Sequence, residues 1–163
     1  MRGGVESPSA IDTSAATAGK WAFAPCGGGG LSAGLALAVP DARIVIAEPE
    51  GWDDMARSLA TGHIVPVAPN PPPTPCDALQ TLRVADLTFD ILKARGAIGV
   101  AVPEAAICDA MRTARDQLGV RLEAGGAIAL AAVLSGLIEP GERTLVLLSG
   151  GNIDDARYAA MTG

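Results

Sequence analysis

Four consecutive glycines, Gly27–Gly30, stand between a short apolar run and a second apolar segment that begins at Leu31. Glycine loses more backbone entropy on folding than any other residue, so a simple chain reversal does not call for four of them. Without Cβ atoms in the way, successive backbone N–H groups can converge on an anion at the start of a helix. The pattern therefore predicts a phosphate-binding loop, with a flexible turn as the alternative.

A second glycine loop, 149–152 (SGGN), follows the apolar run 144–148. The hydroxyl of Ser149 can donate to a ring nitrogen or accept from it without imposing a charge on the ring. If both loops lie at one edge of a sheet, they can hold the two ends of one cofactor. The phosphate would then lie at Gly27–Gly30 and the ring at Ser149.

The first loop also fits a dinucleotide-binding pattern, in which Gly28 and Gly30 are followed by Ala33. Glu48, at the end of the next predicted strand, stands where an acid that binds a ribose is expected. A nucleotide-binding Rossmann-like domain is therefore an alternative, although it leaves the second glycine loop without a role.

Apolar runs alternate with helical patterns along the chain. The predicted strands are 21–25, 43–47, 98–102 and 144–148, and the predicted helices are 31–39, 52–61, 86–95, 103–118 and 126–138. Six prolines within 66–75 exclude regular structure there. The alternation predicts an α/β fold, a parallel sheet flanked by helices, over residues 20–163. Residues 1–19 are predicted to be a flexible or irregular lead-in.

The composition is that of a globular domain, with 49% hydrophobic and 18% charged residues. A net charge of −6 disfavours nucleic acid or an anionic membrane as a partner. The three cysteines are widely spaced and form no metal-binding pair, which indicates free thiols in a reducing compartment. No apolar stretch reaches membrane-spanning length, so we expect a cytoplasmic protein.

Six short motifs occur in the order seen in the serine/threonine dehydratases (threonine ammonia-lyases) and serine racemases. They are 25–31 (PCGGGGL), 47–49 (AEP), 76–79 (CDAL), 87–89 (LTF), 122–127 (LEAGGA) and 148–152 (LSGGN). The chain thus resembles the later half of these fold-type II pyridoxal-phosphate enzymes, whose large domain is similar to the tryptophan synthase β subunit. The resemblance runs from about Trp21 to Ile153.

The resemblance implies roles for particular residues. Gly27–Gly30 and the amide of Leu31 would bind the phosphate of pyridoxal 5′-phosphate, and Ser149 would face the pyridine nitrogen. Glu123 would lie near the ring, or else be an acid at a helix start. The implied substrate is a small amino acid, serine or threonine, which loses water and then ammonia to give a 2-oxo acid.

Some relatives also bind a divalent cation. By resemblance the ligands here would be the side chain of Glu48, the backbone carbonyl of Trp52 and the side chain of Asp54. Oxygen ligands of this kind suit Mg²⁺ or Mn²⁺. Alternatively, Glu48 is a solvated acid and Asp54 a helix-start residue.

The lysine that holds the cofactor in this family belongs to the earlier half, and neither Lys20 nor Lys93 lies in its motif. Cys26 is a weak candidate for a nucleophile, because no partner base is evident and the only histidine, His63, follows a predicted helix. We therefore expect an incomplete cofactor-binding domain that binds weakly and is inactive alone. A complementary N-terminal half, or a second copy in a homodimer, is the predicted protein partner.

Overall fold

The computed structural model describes residues 19–163 of the chain. In that range the strands are β1 (Lys20–Pro25), β2 (Ala42–Pro49), β3 (Ile98–Val102) and β4 (Arg143–Val146). The helices are α1 (Gly30–Ala38), α2 (Asp54–Thr61), α3 (Asp86–Ala94), α4 (Glu104–Leu118), α5 (Ala124–Leu134) and α6 (Asp155–Thr162). The lead-in predicted for residues 1–19 lies, except for Gly19, outside the described residues and stays a prediction.

The four strands form one parallel sheet in the order β3-β2-β1-β4, which confirms the predicted α/β class. Phe23 of β1 pairs with Val45 on one side and with Val146 on the other. Going from β1, the chain adds β2 and β3 on one side and later returns to add β4 on the other. The strand order therefore reverses between β1 and β4, where ligands bind in open α/β sheets.

Helices cover both faces of the sheet. On one face α4 and α5 pack through residues such as Ile107, Met111 and Ile128. On the other face, α1, α2 and α3 pack through residues such as Met55 and Leu92. Because β1 and β2 are covered on both faces, their interiors are mainly apolar, as the sequence predicted, whereas β4 at the edge of the sheet is partly exposed.

Several predicted bounds were wrong at helix ends. The helix predicted for 126–138 begins at Ala124 and ends at Leu134. The helix α6 was not predicted, although Asp154 is a good N-cap whose Oδ1 accepts from Arg157 N at 2.8 Å. None of the helices in residues 19–163 has the length and apolar character to cross a membrane.

Candidate functional site

A cavity of about 270 Å³ lies beyond the carboxyl ends of β1 and β4. This volume is close to the lower end of the range of about 300–1,000 Å³ for small-molecule pockets. Both glycine loops line the cavity, so the structure brings Gly27–Gly30, Leu31 and Ser149 together as the two-loop hypothesis requires. The other lining residues are Pro25, Ala78, Leu79, Glu123 and Gly125.

The first glycine loop leads from the end of β1 directly into the start of α1. Gly29 precedes the helix with φ +86°, a left-handed conformation that favours glycine. The loop is tied to the sheet by Ser32, whose buried hydroxyl donates to the carbonyl of Pro25 at 2.7 Å. The N-terminal end of α1, with its free backbone N–H groups, therefore faces the cavity as an anion site requires.

A short 3₁₀ turn, Asp77–Leu79, forms a wall that the sequence prediction missed. A Cβ added at Gly27 would lie only 3.1 Å from Leu79 Cα, so the turn packs on the backbone of the glycine loop. The motif at 76–79 carried part of the resemblance but had no role assigned. Its proline-rich surroundings gave no sign that it folds back onto the first loop.

The second glycine loop packs on the start of α5. Ser149 N donates to the carbonyl of Gly126 at 3.3 Å, and Glu123 N donates to the carbonyl of Gly150 at 3.2 Å. Gly126 has no room for a side chain, because an added Cβ would lie 2.7 Å from the carbonyl carbon of Ser149 and would overlap its oxygen. The position of Ser149 in the cavity therefore depends on close contact between two backbones.

Neither lysine lines this cavity. Lys93 is exposed on α3, where its Nζ donates to the carbonyl of Gly62 at 2.7 Å and lies over the ring of Phe89. Lys20 begins β1 at the other end of the sheet, 3.9 Å from the carboxylate of Asp41. In residues 19–163, no lysine therefore reaches the candidate site.

The predicted metal residues Glu48, Trp52 and Asp54 do not line the cavity. Glu48 is fully buried, and its carboxylate accepts from the backbone N–H groups of Met55 (3.1 Å) and Ala56 (2.7 Å) at the start of α2. Burial raises the pKa of this carboxyl well above its ordinary value, and these two hydrogen bonds oppose the shift. Asp54 is the first residue of α2 and is also buried.

This geometry corrects two earlier interpretations of Glu48. Glu48 is buried, so it is not a solvated acid. Its carboxylate is bonded to the start of α2 and is not accessible to the ribose of a nucleotide, so the dinucleotide-binding pattern lacks its ribose-binding acid. The interpretation of Asp54 as a helix-start residue is confirmed. Asp54 Oδ2 is buried without a hydrogen-bond partner, which would suit a cation ligand. However, no group of three or more His, Cys, Asp or Glu side chains suited to a metal occurs in residues 19–163.

The thiols do not support a cysteine nucleophile. Cys26 is buried behind the loop and does not line the cavity, and burial raises its pKa well above the ordinary value. Burial also raises the pKa of Cys76 to about 12. The pKa of Cys108 is raised too, but its side chain is half-buried rather than enclosed. A nucleophile needs an accessible thiolate, whereas the thiol of Cys26 is buried and stays protonated.

We expect iodoacetamide to label Cys108 in the native protein well before Cys26 or Cys76, because the two enclosed thiols stay protonated and shielded. Mass spectrometry of a labelling time course measures this order. Full labelling of all three thiols in denaturant is the control. Preferential labelling of Cys26 would contradict the site as described.

Residues 12–150 match the family described as pyridoxal-phosphate dependent enzyme. The chain belongs to this family. Among curated members it is 35% identical over 134 residues to the L-threonine ammonia-lyase of Thermotoga maritima and 36% identical over 140 residues to the serine racemase of Oryza sativa subsp. indica. The predicted family resemblance is confirmed.

A solved structure supports the fold assignment within the family. The threonine deaminase of T.th. matches with a TM-score of 0.77 and 40% identity over 84% of this chain. The alignments with the two curated relatives each cover 80% of this chain. They cover only 33% of the Thermotoga enzyme and 40% of the rice enzyme. The structural match covers 51% of the threonine deaminase chain. The chain thus spans about half or less of the length of these relatives.

Proposed function

We propose that this chain is the cofactor-holding half of a pyridoxal-phosphate-dependent ammonia-lyase acting on a small hydroxy-amino acid. The observation that carries the proposal is the meeting of both glycine loops around one cavity at the switch point of the sheet. Pyridoxal phosphate, when bound, supplies an electron sink for negative charge at the α-carbon of an amino acid. Threonine and serine are the substrates we propose, in the cytoplasm.

In this proposal each loop has a separate task. The amides of Gly27–Gly30 and Leu31 bind the phosphate at the start of α1, where the helix dipole favours negative charge. The hydroxyl of Ser149 offers a neutral partner to the pyridine nitrogen, which suits elimination better than strong carbanion stabilisation. Pro25, Ala78 and Leu79 line the same cavity and would restrict the access of water to the ligand.

The experiment that tests this proposal is a titration of the purified chain with pyridoxine 5′-phosphate, which cannot react with lysine. We expect weak, saturable binding that weakens roughly threefold to tenfold in Ser149→Ala, the effect of losing one hydrogen bond. Lys93→Ala should bind as the wild type does. Absence of saturable binding by the wild type would contradict the proposed function.

We further propose that the reactive lysine comes from elements outside residues 19–163, docked on one uncovered face. The exposed side of α1 consists of Gly30, Leu31, Gly34, Leu37 and Ala38, with no charged residue. Leu37 is 62% exposed there, and Leu145 on β4 is 48% exposed. A helix that is apolar all round is normally buried, so this surface calls for a partner.

The proposed occupant is the complementary half of the family fold rather than a second copy. Among the described residues, β4 is an edge strand of the sheet. A strand and a helix contributed by the complementary half would extend the sheet beyond β4 and cover α1. The similar threonine deaminase structure is about twice as long as the matched region, which leaves a half of suitable size to dock there.

Co-expression of this chain with the lysine-bearing half of a threonine ammonia-lyase tests the docking. We expect a co-purifying complex that forms 2-oxobutyrate from threonine, and its loss in Leu37→Glu. Leu87→Glu, at a 71% exposed position on α3, is the matched control and should leave the complex intact. Sedimentation of this chain alone as a dimer that Leu37→Glu dissociates would favour the homodimer instead.

A divalent cation at Glu48, Trp52 and Asp54 stays a proposal that rests on the unpartnered Oδ2 of Asp54. We expect Mn²⁺ or Mg²⁺ to raise the melting temperature of the wild type by binding only the folded state. Asp54→Asn should abolish that increase. Asp53→Asn, which alters the neighbouring carboxylate beside Arg57, is the control and should keep it. An equal response in both variants would contradict the site.

A further inference from the structure

Thr88, on the first turn of α3, reaches the first glycine loop across 60 residues of sequence. Its hydroxyl oxygen lies 2.7 Å from the carbonyl oxygen of Gly28 and 3.0 Å from that of Ala85. The hydroxyl has one proton to donate, and Gly28 offers the shorter contact. The second contact, to a residue three positions earlier, is a common one for a threonine in a helix.

The hydrogen bond from Thr88 fixes the peptide unit between Gly28 and Gly29. In a trans peptide the carbonyl and the following N–H point in opposite directions, and no cis peptide bond occurs in residues 19–163. The carbonyl of Gly28 therefore points to Thr88, and the N–H of Gly29 points away from it. If the loop binds a phosphate on the side away from Thr88, a carbonyl turned that way would present its negative oxygen to that phosphate.

Packing holds Thr88 against the same point of the loop. A Cβ added at Gly29 would lie 2.9 Å from both Cβ and Oγ1 of Thr88 and 2.8 Å from Cε of Met55. Thr88 is itself half-buried and does not line the cavity. It can therefore act on a ligand only through the loop.

We propose that Thr88 is a positioning residue that orients the Gly28–Gly29 peptide so that the loop binds the phosphate group of its ligand. This inference rests on the proposed function of the loop. The threonine determines the direction of a donor and an acceptor at the anion site, while contributing no atom to it.

Three variants test the proposal. Thr88→Val keeps the shape and removes the hydroxyl, and Thr88→Ser keeps the hydroxyl. Thr113→Val is the matched control, because the Thr113 hydroxyl donates only to the carbonyl of Asp109, four residues earlier on α4. Each protein is labelled with ¹⁵N and ¹³C, and glycine amide and carbonyl signals are followed during titration with pyridoxine 5′-phosphate and with inorganic phosphate.

Without ligand, we expect the Gly28 carbonyl and Gly29 amide signals to move in Thr88→Val and to stay near their wild-type positions in Thr88→Ser and Thr113→Val. The dissociation constant for pyridoxine 5′-phosphate should rise roughly fivefold to tenfold in Thr88→Val, as for a hydrogen bond that acts on a charged ligand. Thr88→Ser should restore it to within about twofold, because its hydroxyl can make the same bond.

Two results would overturn the positioning role: unchanged glycine signals in Thr88→Val, or equal weakening of binding by Thr88→Val and Thr88→Ser, which would indicate packing alone. If the wild type binds neither ligand, the proposed function fails. The ligand-free signals would then still decide whether Thr88 orients the peptide.

Discussion

Gly126→Ala is expected to push the second glycine loop away from α5 and to abolish ligand binding. The added methyl group would overlap the carbonyl oxygen of Ser149 and lie 2.7 Å from its carbonyl carbon. Backbone cannot rotate away as a long side chain can, so either the loop moves or the protein loses about 3 kcal/mol of unfolding free energy. Urea unfolding measures the stability, and the signals of Ser149 and Gly150 report the loop position.

Gly34→Ala is the matched control for this change. Gly34 lies inside α1, and a Cβ there would meet no atom within 4 Å beyond the adjacent backbone of its own helix. Alanine in a helix is favoured over glycine by about 0.5–1 kcal/mol, so this variant should be slightly more stable than the wild type. A Gly126→Ala protein with wild-type stability and unchanged Ser149 signals would contradict the close contact on which the site depends.

Glu48→Ala is expected to lower the unfolding free energy by about 3 kcal/mol, because it leaves a cavity and removes the acceptor of two hydrogen bonds. The N–H groups of Met55 and Ala56 would both lose their partner at the start of α2. Unfolding in the presence of a chelator isolates this effect from any bound cation. An unfolding free energy within about 0.3 kcal/mol of the wild-type value would mean that the carboxylate does not hold α2 on the sheet.

The same carboxyl should give stability a characteristic pH dependence, which Glu48→Gln removes. Burial raises the folded-state pKa of Glu48 well above its ordinary value of 4.5. The native state therefore binds this proton more tightly than the unfolded chain, and its stabilising effect is complete below the ordinary value. It is lost as pH rises through the folded-state pKa. The stability of the wild type relative to Glu48→Gln should consequently fall from acid to neutral pH, and a rise would contradict the burial.

Much of the fold followed from local sequence. The strand β3 has the bounds predicted from its apolar run, and α1 and α3 lie within one residue of theirs. Such elements are fixed by hydrophobic periodicity and by glycine or proline at their ends, which are local signals. The meeting of the two glycine loops was also predictable, because the carboxyl ends of parallel strands share one edge of a sheet.

The missed features depend on contacts between distant segments. Glu48 lies one residue before the end of β2, where an acid is often solvated, but it is buried and its carboxylate accepts hydrogen bonds from the start of α2. The turn at Asp77–Leu79 follows a proline-rich stretch. That stretch has no hydrophobic periodicity from which its course through the fold could be predicted. Thr88 occurs in a motif that supported the resemblance, but its bond to Gly28 spans 60 residues. Contacts of this kind join segments that are far apart in the sequence, so residue spacing alone does not reveal them.

The most direct test of the central claim is a glycine- and serine-resolved NMR titration of the wild-type chain with pyridoxine 5′-phosphate. We predict that the amides of Gly27–Gly30 and of Ser149 shift together and give one dissociation constant, because one molecule touches both loops. Inorganic phosphate should shift the first loop alone. Shifts confined to the first loop with both ligands, or two different dissociation constants for the two loops, would contradict a single cofactor held between them.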